Sequence, residues 1–262
     1  MRKFYDVGII GANGTVGKSL YDQFSKNFSK VHKINRLNFI ESESYQFNIL
    51  IVTCFDARKY MVNKYPLEDL KHINEVFERL KNFEANTLIL ISTIDVYSSR
   101  VGNEASALSF NACGYSFNRY LCELYIKQFF EKSYVIRLQG LVGKTIKKNF
   151  LYDLKHNNNV ENIDKFLEVQ YYPLSRIMDD ILRIIENKLY LVNISCEPLS
   201  LQELKEFIDF PNFDLILTKR RDNINYCVES LFSHVSLNSD KKGFWVKKSD
   251  IISAIDNYFF ES

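Results

Sequence analysis

Several features that mark common classes of protein are missing from this 262-residue sequence. Thirty-four Lys and Arg residues oppose thirty-two Asp and Glu residues without long runs of one sign, so we expect no nucleic-acid partner. No apolar stretch reaches the roughly 18 to 20 residues that span a bilayer, and the N-terminus has no signal-peptide core. These absences predict a soluble, cytoplasmic protein with no membrane partner.

Cysteine and histidine are few and scattered. The five cysteines include no Cys-x-x-Cys pair, and their odd number in a chain of intracellular character argues against a disulfide framework. The four histidines form no pair at the spacing of metal ligands. We therefore expect neither a disulfide nor a metal site.

Glycine is also scarce, and its distribution is informative. Only nine glycines occur, and four of them, Gly8, Gly11, Gly14 and Gly17, fall within ten residues. The β-prone run Phe4 to Ile10 predicts a strand before the cluster, and the helical spacing of apolar residues from Lys18 to Phe28 predicts a helix after it. The order is therefore strand, glycine turn, helix.

This order is typical of a pyrophosphate-binding turn. Gly11 suits a tight turn, Gly14 lets a phosphate approach the main chain, and Gly17 allows close packing of helix on strand. Unpaired N–H groups and the positive end of the helix dipole favour an anion there. The other candidate residues of this turn are Asn13, Thr15 and Val16. The alternative is a glycine turn that serves packing alone.

The choice of dinucleotide depends on the end of the second strand, which we predict at Lys30 to Ile34. A Rossmann unit usually places an acidic residue there to accept the ribose hydroxyls of NAD. This chain has Asn35 and Arg36 instead. A guanidinium favours a 2′-phosphate, so Arg36 indicates NADP, with NAD still possible. Alternatively, Arg36 is a solvated loop cation.

Strands and helices continue to alternate along the N-terminal half. The patterns predict a strand at Phe47 to Phe55, a helix at Leu67 to Phe83 and a strand at Thr87 to Ser92. Such alternation predicts an α/β fold, with a doubly wound parallel sheet of the Rossmann type covered by helices on both faces.

In such sheets ligands bind beyond the carboxyl ends of the strands. The glycine turn, Cys54 with Phe55, and Ser92 with Thr93 all follow strand ends, so the sequence predicts that they share one cofactor crevice. We expect Cys54 to be a small buried hydrophobe rather than a nucleophile, because no basic neighbour in the sequence would activate its thiol.

A hydroxyl and a phenol carry the candidate chemistry. Tyr115 and Arg119 are four residues apart and share one helix face, so the cation is expected to lower the phenol pKa from about 10. The Thr93 hydroxyl would hold a carbonyl oxygen while Tyr115 exchanges its proton. Nearby Asp95 either faces substrate hydroxyls or caps a turn.

Over residues 4 to 180 the chain resembles the extended branch of the short-chain dehydrogenase/reductase superfamily. Four pieces in the expected order carry the resemblance, namely the glycine turn, the segment Ser92 to Tyr97, the Tyr115 to Arg119 helix and the predicted strand Tyr134 to Gly143. The resemblance implies that Thr93 polarises the substrate carbonyl and Tyr115 is the acid/base. It also implies that the backbone of Gln139, Gly140 and Leu141 lies beside the nicotinamide, and that Asn149 binds a nucleotide-sugar diphosphate.

The chief departure from the family pattern is Arg119, which replaces the lysine of Tyr-x-x-x-Lys. That lysine binds the nicotinamide ribose and biases the tyrosine. Arginine keeps the charge and the donors but cannot join a proton relay through its own ionisation. The chain is thus either a working catalyst or a nucleotide-binding protein of weakened chemistry.

Two domains are predicted, a dinucleotide-binding core at 1–143 and a small substrate lobe at 144–262 with segments that return to the core. Ser200 to Glu203 predicts a capping box that opens a helix to about Ile208, Leu189 to Ile194 predicts a strand, and Val246 to Phe260 a terminal helix. The Arg220-Arg221 pair predicts a solvated turn or, alternatively, a phosphate contact.

The resemblance implies an NADP-dependent reductase that acts on the keto group of a nucleotide-linked sugar. An epimerase or dehydratase with retained cofactor is one alternative, and a sensor or scaffold protein that binds NADP without turnover is another. The family also suggests a homodimer through the Tyr115 helix, where Leu121, Leu124, Tyr125 and Phe129 serve either the interface or the core.

Overall fold

The computed structural model describes residues 3–97, 99–108, 110, 113–216, 225–236 and 242–260. The strands of this part of the chain are β1 (Lys3–Ile10), β2 (Phe28–Ile34), β3 (Gln46–Val52), β4 (Glu84–Thr93), β5 (Val101–Gly102), β6 (Ser133–Leu138), β7 (Gly140–Val142), β8 (Val169–Pro173), β9 (Leu191–Asn193), β10 (Pro198–Leu199) and β11 (Cys227–Val228). Its α-helices are α1 (Thr15–Asn27), α2 (Phe39–Ser42), α3 (Lys59–Lys64), α4 (Pro66–Leu80), α5 (Tyr115–Phe129), α6 (Phe150–His156), α7 (Ile177–Glu186), α8 (Leu201–Leu204) and α9 (Lys248–Phe260).

A parallel, doubly wound sheet forms the centre of the fold, as the sequence predicts. Within the described residues its six strands are ordered β2-β1-β3-β4-β6-β9. Strand β1 pairs in parallel with β2 on one side and with β3 on the other, and Val7 has Val31 and Ile49 as its two neighbours. The chain reverses its direction of winding between β1 and β3, and this switch point is where open α/β sheets bind ligands.

Burial explains why these segments become inner strands. Side chains on both faces of β1 and β3 are almost wholly inaccessible, among them Ile9, Ile10, Leu50, Ile51 and Val52. Continuous apolar runs of this kind suit a sheet that is covered on both sides. Helix α4 covers it with a stripe of Ile73, Val76, Phe77 and Leu80, and Pro66 starts that helix at a position where proline is tolerated.

The predicted strand Tyr134 to Gly143 is not continuous. Residues up to Leu138 form β6 of the central sheet, whereas β7 starts at Gly140 and pairs with β8 in another sheet. A Cβ on Gly140 would lie 2.9 Å from the carbonyl oxygen of Gln170. The break therefore occurs where a residue without a side chain allows close approach to β8.

The chain divides into two compact units. The first consists of residues 1–98, 107–137 and 184–191, and the second of residues 99–106, 138–183 and 192–262. The first unit holds α1 to α5 and most of the central sheet. The second includes, among its described residues, a three-stranded sheet ordered β10-β8-β7. The boundary predicted after residue 143 stays a prediction.

The second unit contains a buried carboxylate, that of Asp180. Asp180 accepts hydrogen bonds from the Tyr172 hydroxyl at 2.8 Å and from the Trp245 indole at 2.9 Å. The Ser200 capping box is confirmed, but α8 ends at Leu204 rather than near Ile208. The terminal helix is confirmed as α9, with Ile251, Ile255, Tyr258 and Phe259 buried.

Helix α5 has a buried face and an exposed face. The buried face includes Tyr115, Arg119 and Glu123, whereas Leu124 and Phe129 are exposed. The predicted homodimer stays a prediction. Within the described residues no helix is both long enough and apolar enough to cross a bilayer.

Candidate functional site

Gly11 lies where three neighbouring strands of the central sheet, β1, β2 and β3, end. Its N–H donates to the carbonyl of Ile34 at the end of β2, over 2.9 Å. It has a positive φ of 85°, and a Cβ there would lie 2.8 Å from backbone atoms of Cys54, just after β3. Glycine is required here for both conformation and space.

The rest of the glycine turn leads directly into α1. The N–H of Gly14 donates to the Gly11 carbonyl at 2.9 Å, and a Cβ on Gly17 would collide with that same carbonyl oxygen. The first turn of α1 contains no acidic residue, and Asn13 and Gly14 are exposed. Thr15 and Val16, the first residues of α1, are partly exposed. The turn thus presents the positive end of a helix with no carboxylate to compete with an anion.

Arg36 lies in an exposed loop directly after β2. The loop is held by the side chains of its own asparagines: Asn38 accepts from the Asn35 N–H at 2.8 Å, and Asn35 accepts from the Leu37 N–H at 2.9 Å. Cys54 is half-buried, and the loss of solvation raises the pKa of its thiol to about 12, while the charges of Arg119 and Arg36 act in the opposite direction. A protonated thiol agrees with the expected hydrophobic role of Cys54.

Tyr115 and Thr93 meet at the end of β4. The Thr93 hydroxyl lies close enough to the Tyr115 phenol to favour the phenolate form. Thr93 accepts from the Asp95 N–H at 3.1 Å, which starts the short 3₁₀ turn Ile94–Val96. The N–H of Tyr115 donates to the Asn63 side chain of α3 at 2.9 Å, which caps the start of α5. The hydroxyl and the phenol are therefore held from separate elements.

The pKa of Tyr115 is raised to about 12 rather than lowered. Burial of the phenol is the largest cause, and the Asp95 carboxylate adds to it. Arg119 and the nearby Thr93 hydroxyl act in the opposite direction, as the sequence predicts for Arg119, but their effect is smaller. The prediction of a lowered pKa is wrong because it left out desolvation of a side chain that is only 7% exposed.

Arg119 is buried beside Tyr115 and is paired with an acid that sequence reasoning missed. Its Nη2 donates to the carboxylate of Asp69 on α4, which also accepts from Asn118 Nδ2 at 2.8 Å. The guanidinium carbon lies 5.2 Å from the centre of the Tyr115 ring and 5.5 Å from that of Phe55. In the described part of the chain, Arg119 Nε and Nη1 are buried and have no hydrogen-bond partner.

A signal for Asp69 is present in the sequence. It occupies the same helical stripe as the apolar residues that cover the sheet, four residues before Ile73 and seven before Val76. An acid in such a stripe is buried when the helix docks, and it then needs a cation as partner.

A second buried ion pair lies farther along α5. Glu123 accepts from Arg137 Nε at 2.9 Å and from its Nη2 at 2.6 Å, while Arg137 Nη1 donates to the Tyr97 hydroxyl at 2.7 Å. Ser92 donates to Glu123 at 2.6 Å. The predicted cofactor role of Ser92 stays a prediction, but the bond to Glu123 ties α5 to the end of β4.

Asp95 forms an ion pair that the sequence did not predict. Its carboxylate accepts from Lys59 Nζ at 2.8 Å, and both side chains are partly exposed. Lys59 begins α3, and its part in the site was not apparent from the sequence. The pair places a cation and an anion at the rim of the Thr93 and Tyr115 site.

The remaining candidates belong to the second unit. Gln139 accepts from the Cys196 N–H at 2.8 Å and donates to the Val228 carbonyl at 3.4 Å. Asn149 donates to the Leu141 carbonyl at 2.7 Å and caps α6 by accepting from the Tyr152 N–H at 3.0 Å. The roles of Gln139, Gly140, Leu141 and Asn149 toward ligands stay predictions. The Arg220-Arg221 pair lies outside the described residues.

Comparison with known proteins gives structural matches only. No protein-family model matches the chain, and no curated protein matches its sequence. A dTDP-4-dehydrorhamnose reductase from Clostridium acetobutylicum is similar in structure, with a TM-score of 0.72 and 13% identity over 97% of this chain and 98% of that one. The reductase of the same name from Bacillus anthracis, solved in complex with NADP, has a TM-score of 0.72 and 16% identity over 100% of both chains.

An epimerase gives a comparable match. UDP-glucose 4-epimerase from Thermotoga maritima, solved with UDP-glucose, has a TM-score of 0.70 and 12% identity over 97% of each chain. At these identities the likeness shows the fold, and it extends over nearly the whole of both chains.

The glycine turn generates a stability prediction. Replacing Gly17 with Ala is expected to lower the free energy of unfolding by about 1–3 kcal/mol, because the new methyl group overpacks the Gly11 carbonyl. Gly14→Ala is the control, since its Cβ would lie 3.3 Å from that oxygen and the position is exposed. Urea unfolding measures both, and equal losses would contradict the packing role of Gly17.

The raised pKa of Tyr115 generates a second prediction. Asp95→Asn is expected to lower the pKa of Tyr115 from about 12, because it removes the acid that most disfavours the phenolate. NMR titration of ¹³C-labelled tyrosine, with Tyr115→Phe to assign the signal, measures the shift. Asp56→Asn is the control, since this acid pairs with Arg58. An unchanged or higher pKa in Asp95→Asn would contradict the electrostatic analysis.

Proposed function

We propose that the chain is an NADP-dependent reductase of the short-chain dehydrogenase/reductase type, acting on a keto group of a nucleotide-linked sugar. The observation that carries this proposal is the proximity of the Thr93 hydroxyl to the buried phenol of Tyr115, next to the buried guanidinium of Arg119. A phenol and a hydroxyl that converge in this way suit a carbonyl oxygen, which accepts from both.

Three features of the first unit fit a dinucleotide. The Gly11 to Gly17 turn leaves backbone and helix N–H groups bare of side chains, so it would hold the pyrophosphate. Arg119 has buried donors without partners, which would bind the ribose hydroxyls. Arg36 would bind the 2′-phosphate of NADP.

The bound dinucleotide would supply the hydride. Thr93 and Tyr115 would hold the carbonyl oxygen, and Tyr115 would give its proton to that oxygen as the carbonyl carbon is reduced to an alcohol. With a pKa near 12 the phenol is protonated at neutral pH, so Tyr115 is ready to act as an acid. An alkoxide is a stronger base than a phenolate, which favours this transfer. Arg119 would stabilise the phenolate until solvent reprotonates it.

The substrate class is proposed from the similar structures and from the side chains at the rim of the site. The similar structures include two reductases of a dTDP-linked sugar and an epimerase solved with UDP-glucose. In this chain Asp95 and Lys59 offer an acceptor and a donor at the rim of the site, suited to sugar hydroxyls and phosphate oxygens. Asn149 remains a candidate for the diphosphate.

Two other functions fit the same residues. An epimerase would use the same Thr93 and Tyr115 pair but return the hydride to its substrate, so net NADPH oxidation distinguishes the two. A protein that binds NADP without turnover is favoured by the engagement of Arg119 with Asp69, because this pairing reduces the positive field at Tyr115. Oxidation of NADPH by the wild-type chain would distinguish a reductase from such a protein.

Tyr115→Phe is expected to reduce NADPH oxidation with nucleotide keto-sugars by about 10²-fold or more, because the proton donor is lost. The dissociation constant for NADPH is expected to change little. Tyr120→Phe is the control on the same helix, where the ring stacks on Phe110. Turnover is followed by absorbance and binding by NADPH fluorescence. Full turnover in Tyr115→Phe would exclude the proposed chemistry, and failure of the wild-type chain to bind NADPH would exclude the proposal as a whole.

Arg36→Ala is expected to weaken NADPH binding about tenfold or more while NADH binding stays unchanged, because only NADPH carries the 2′-phosphate. Arg79→Ala is the control, since Arg79 is an exposed arginine near the end of α4. Titration with both nucleotides measures the ratio of affinities. Equal loss of both, or of neither, would contradict the role of Arg36.

A further inference from the structure

Asp69 is the one acid that hydrogen-bonds Arg119 within the described residues. It is only 8% exposed and it interrupts an otherwise apolar stripe of α4. Its Oδ2 accepts from Arg119 Nη2 and from Asn118 Nδ2, and that same Nδ2 donates to the Pro66 carbonyl at 3.0 Å. The carboxylate is therefore held from both α4 and α5.

The shape of the guanidinium allows Arg119 to bind Asp69 and still keep N–H donors for a ligand. A guanidinium carries five N–H donors in a planar fork, so one edge can bind a carboxylate while other donors remain. In this chain the pair with Asp69 uses Nη2 and leaves Nε and Nη1 buried without a partner. A lysine at the same position has its three donors on one nitrogen atom, so a carboxylate would draw the whole ammonium towards itself and away from a ligand.

A buried cation without a counter-ion is costly, and so is a buried carboxylate without a cation. The two residues therefore neutralise each other when α4 docks on α5. The rings of Tyr115 and Phe55 flank the guanidinium at 5.2 and 5.5 Å, which further restricts its orientation.

We propose that Asp69 is a positioning residue, which holds the Arg119 guanidinium by one edge so that Nε and Nη1 stay available to the ribose hydroxyls of the dinucleotide. The proposal rests on the proposed function. It explains how Arg119 could bind the ribose at the position where the short-chain dehydrogenase/reductase pattern has lysine. Under this proposal Asp69 favours dinucleotide binding when residue 119 is arginine and disfavours it when residue 119 is lysine.

The test compares the effect of Asp69→Asn on NADPH binding in two backgrounds, one with Arg119 and one with Arg119→Lys. The change is expected to weaken binding in the first and to strengthen it in the second. With Arg119 present, Asp69→Asn is expected to weaken NADPH binding about tenfold or more, because the guanidinium loses its anchor. In Arg119→Lys, the same Asp69→Asn change is expected to strengthen binding about threefold or more, because the ammonium is released from the carboxylate. Fluorescence titration of NADPH gives the dissociation constants, and thermal unfolding without ligand gives the stability of each variant.

Glu68→Gln is the matched control, because it removes the same charge from an exposed neighbour of Asp69 on α4, and it is expected to leave binding unchanged. If Asp69→Asn alone does not fold, the comparison of Arg119→Lys with the double variant Arg119→Lys, Asp69→Asn still tests the proposal. A lower melting temperature with unchanged dissociation constants, or weaker binding in both backgrounds, would overturn the role of Asp69 and leave the proposed function standing. A wild-type chain that does not bind NADPH would overturn both.

Discussion

The position of Tyr115 depends on the ion pair of Glu123 and Arg137, about two turns farther along the same helix. Moving two charges out of water costs several kcal/mol for each ion, and the loss is recovered only when the geometry is good and the remaining polar atoms are bonded. Here the guanidinium makes two bonds to Glu123 and a third to Tyr97, and Ser92 adds another to the carboxylate. Because α5 also supplies Tyr115 and β4 also supplies Thr93, this network fixes the register in which phenol and hydroxyl meet.

The buried face of α5 contains two ion pairs, each formed with a residue of another element. Arg119 and Glu123 are each paired with an opposite charge from another element, Asp69 from α4 and Arg137 from β6. The two pairs are formally neutral, so they stabilise the docked helix without adding a large net field. The pKa of Tyr115 is therefore determined mainly by the low polarity around the phenol and by the nearby Asp95 carboxylate, and both raise it.

The fold was largely predictable because its signals are local. The glycine turn, the apolar runs of β1 and β3 and the Ser200 capping box each depend on residues close together in the chain. The proximity of Thr93 and Tyr115 was predictable from the order of motifs, whereas their roles stay predictions. The break after Leu138 was not, because the space beside Gly140 is set by Gln170 on another strand. The pairing of Arg119 and the pKa of Tyr115 also depend on burial and on Asp69, fifty residues away.

The ion pair of Asp69 and Arg119 also constrains how this chain can change over time. Replacing either residue alone with a neutral one leaves one charge unpaired in the interior, so such a substitution gives a less stable protein. Exchange of the arginine for lysine keeps the charge, but the ammonium is then held by Asp69, so this exchange favours a second change on the neighbouring helix. Among descendants of this sequence we expect the two positions to vary together, as a covarying pair that spans two helices.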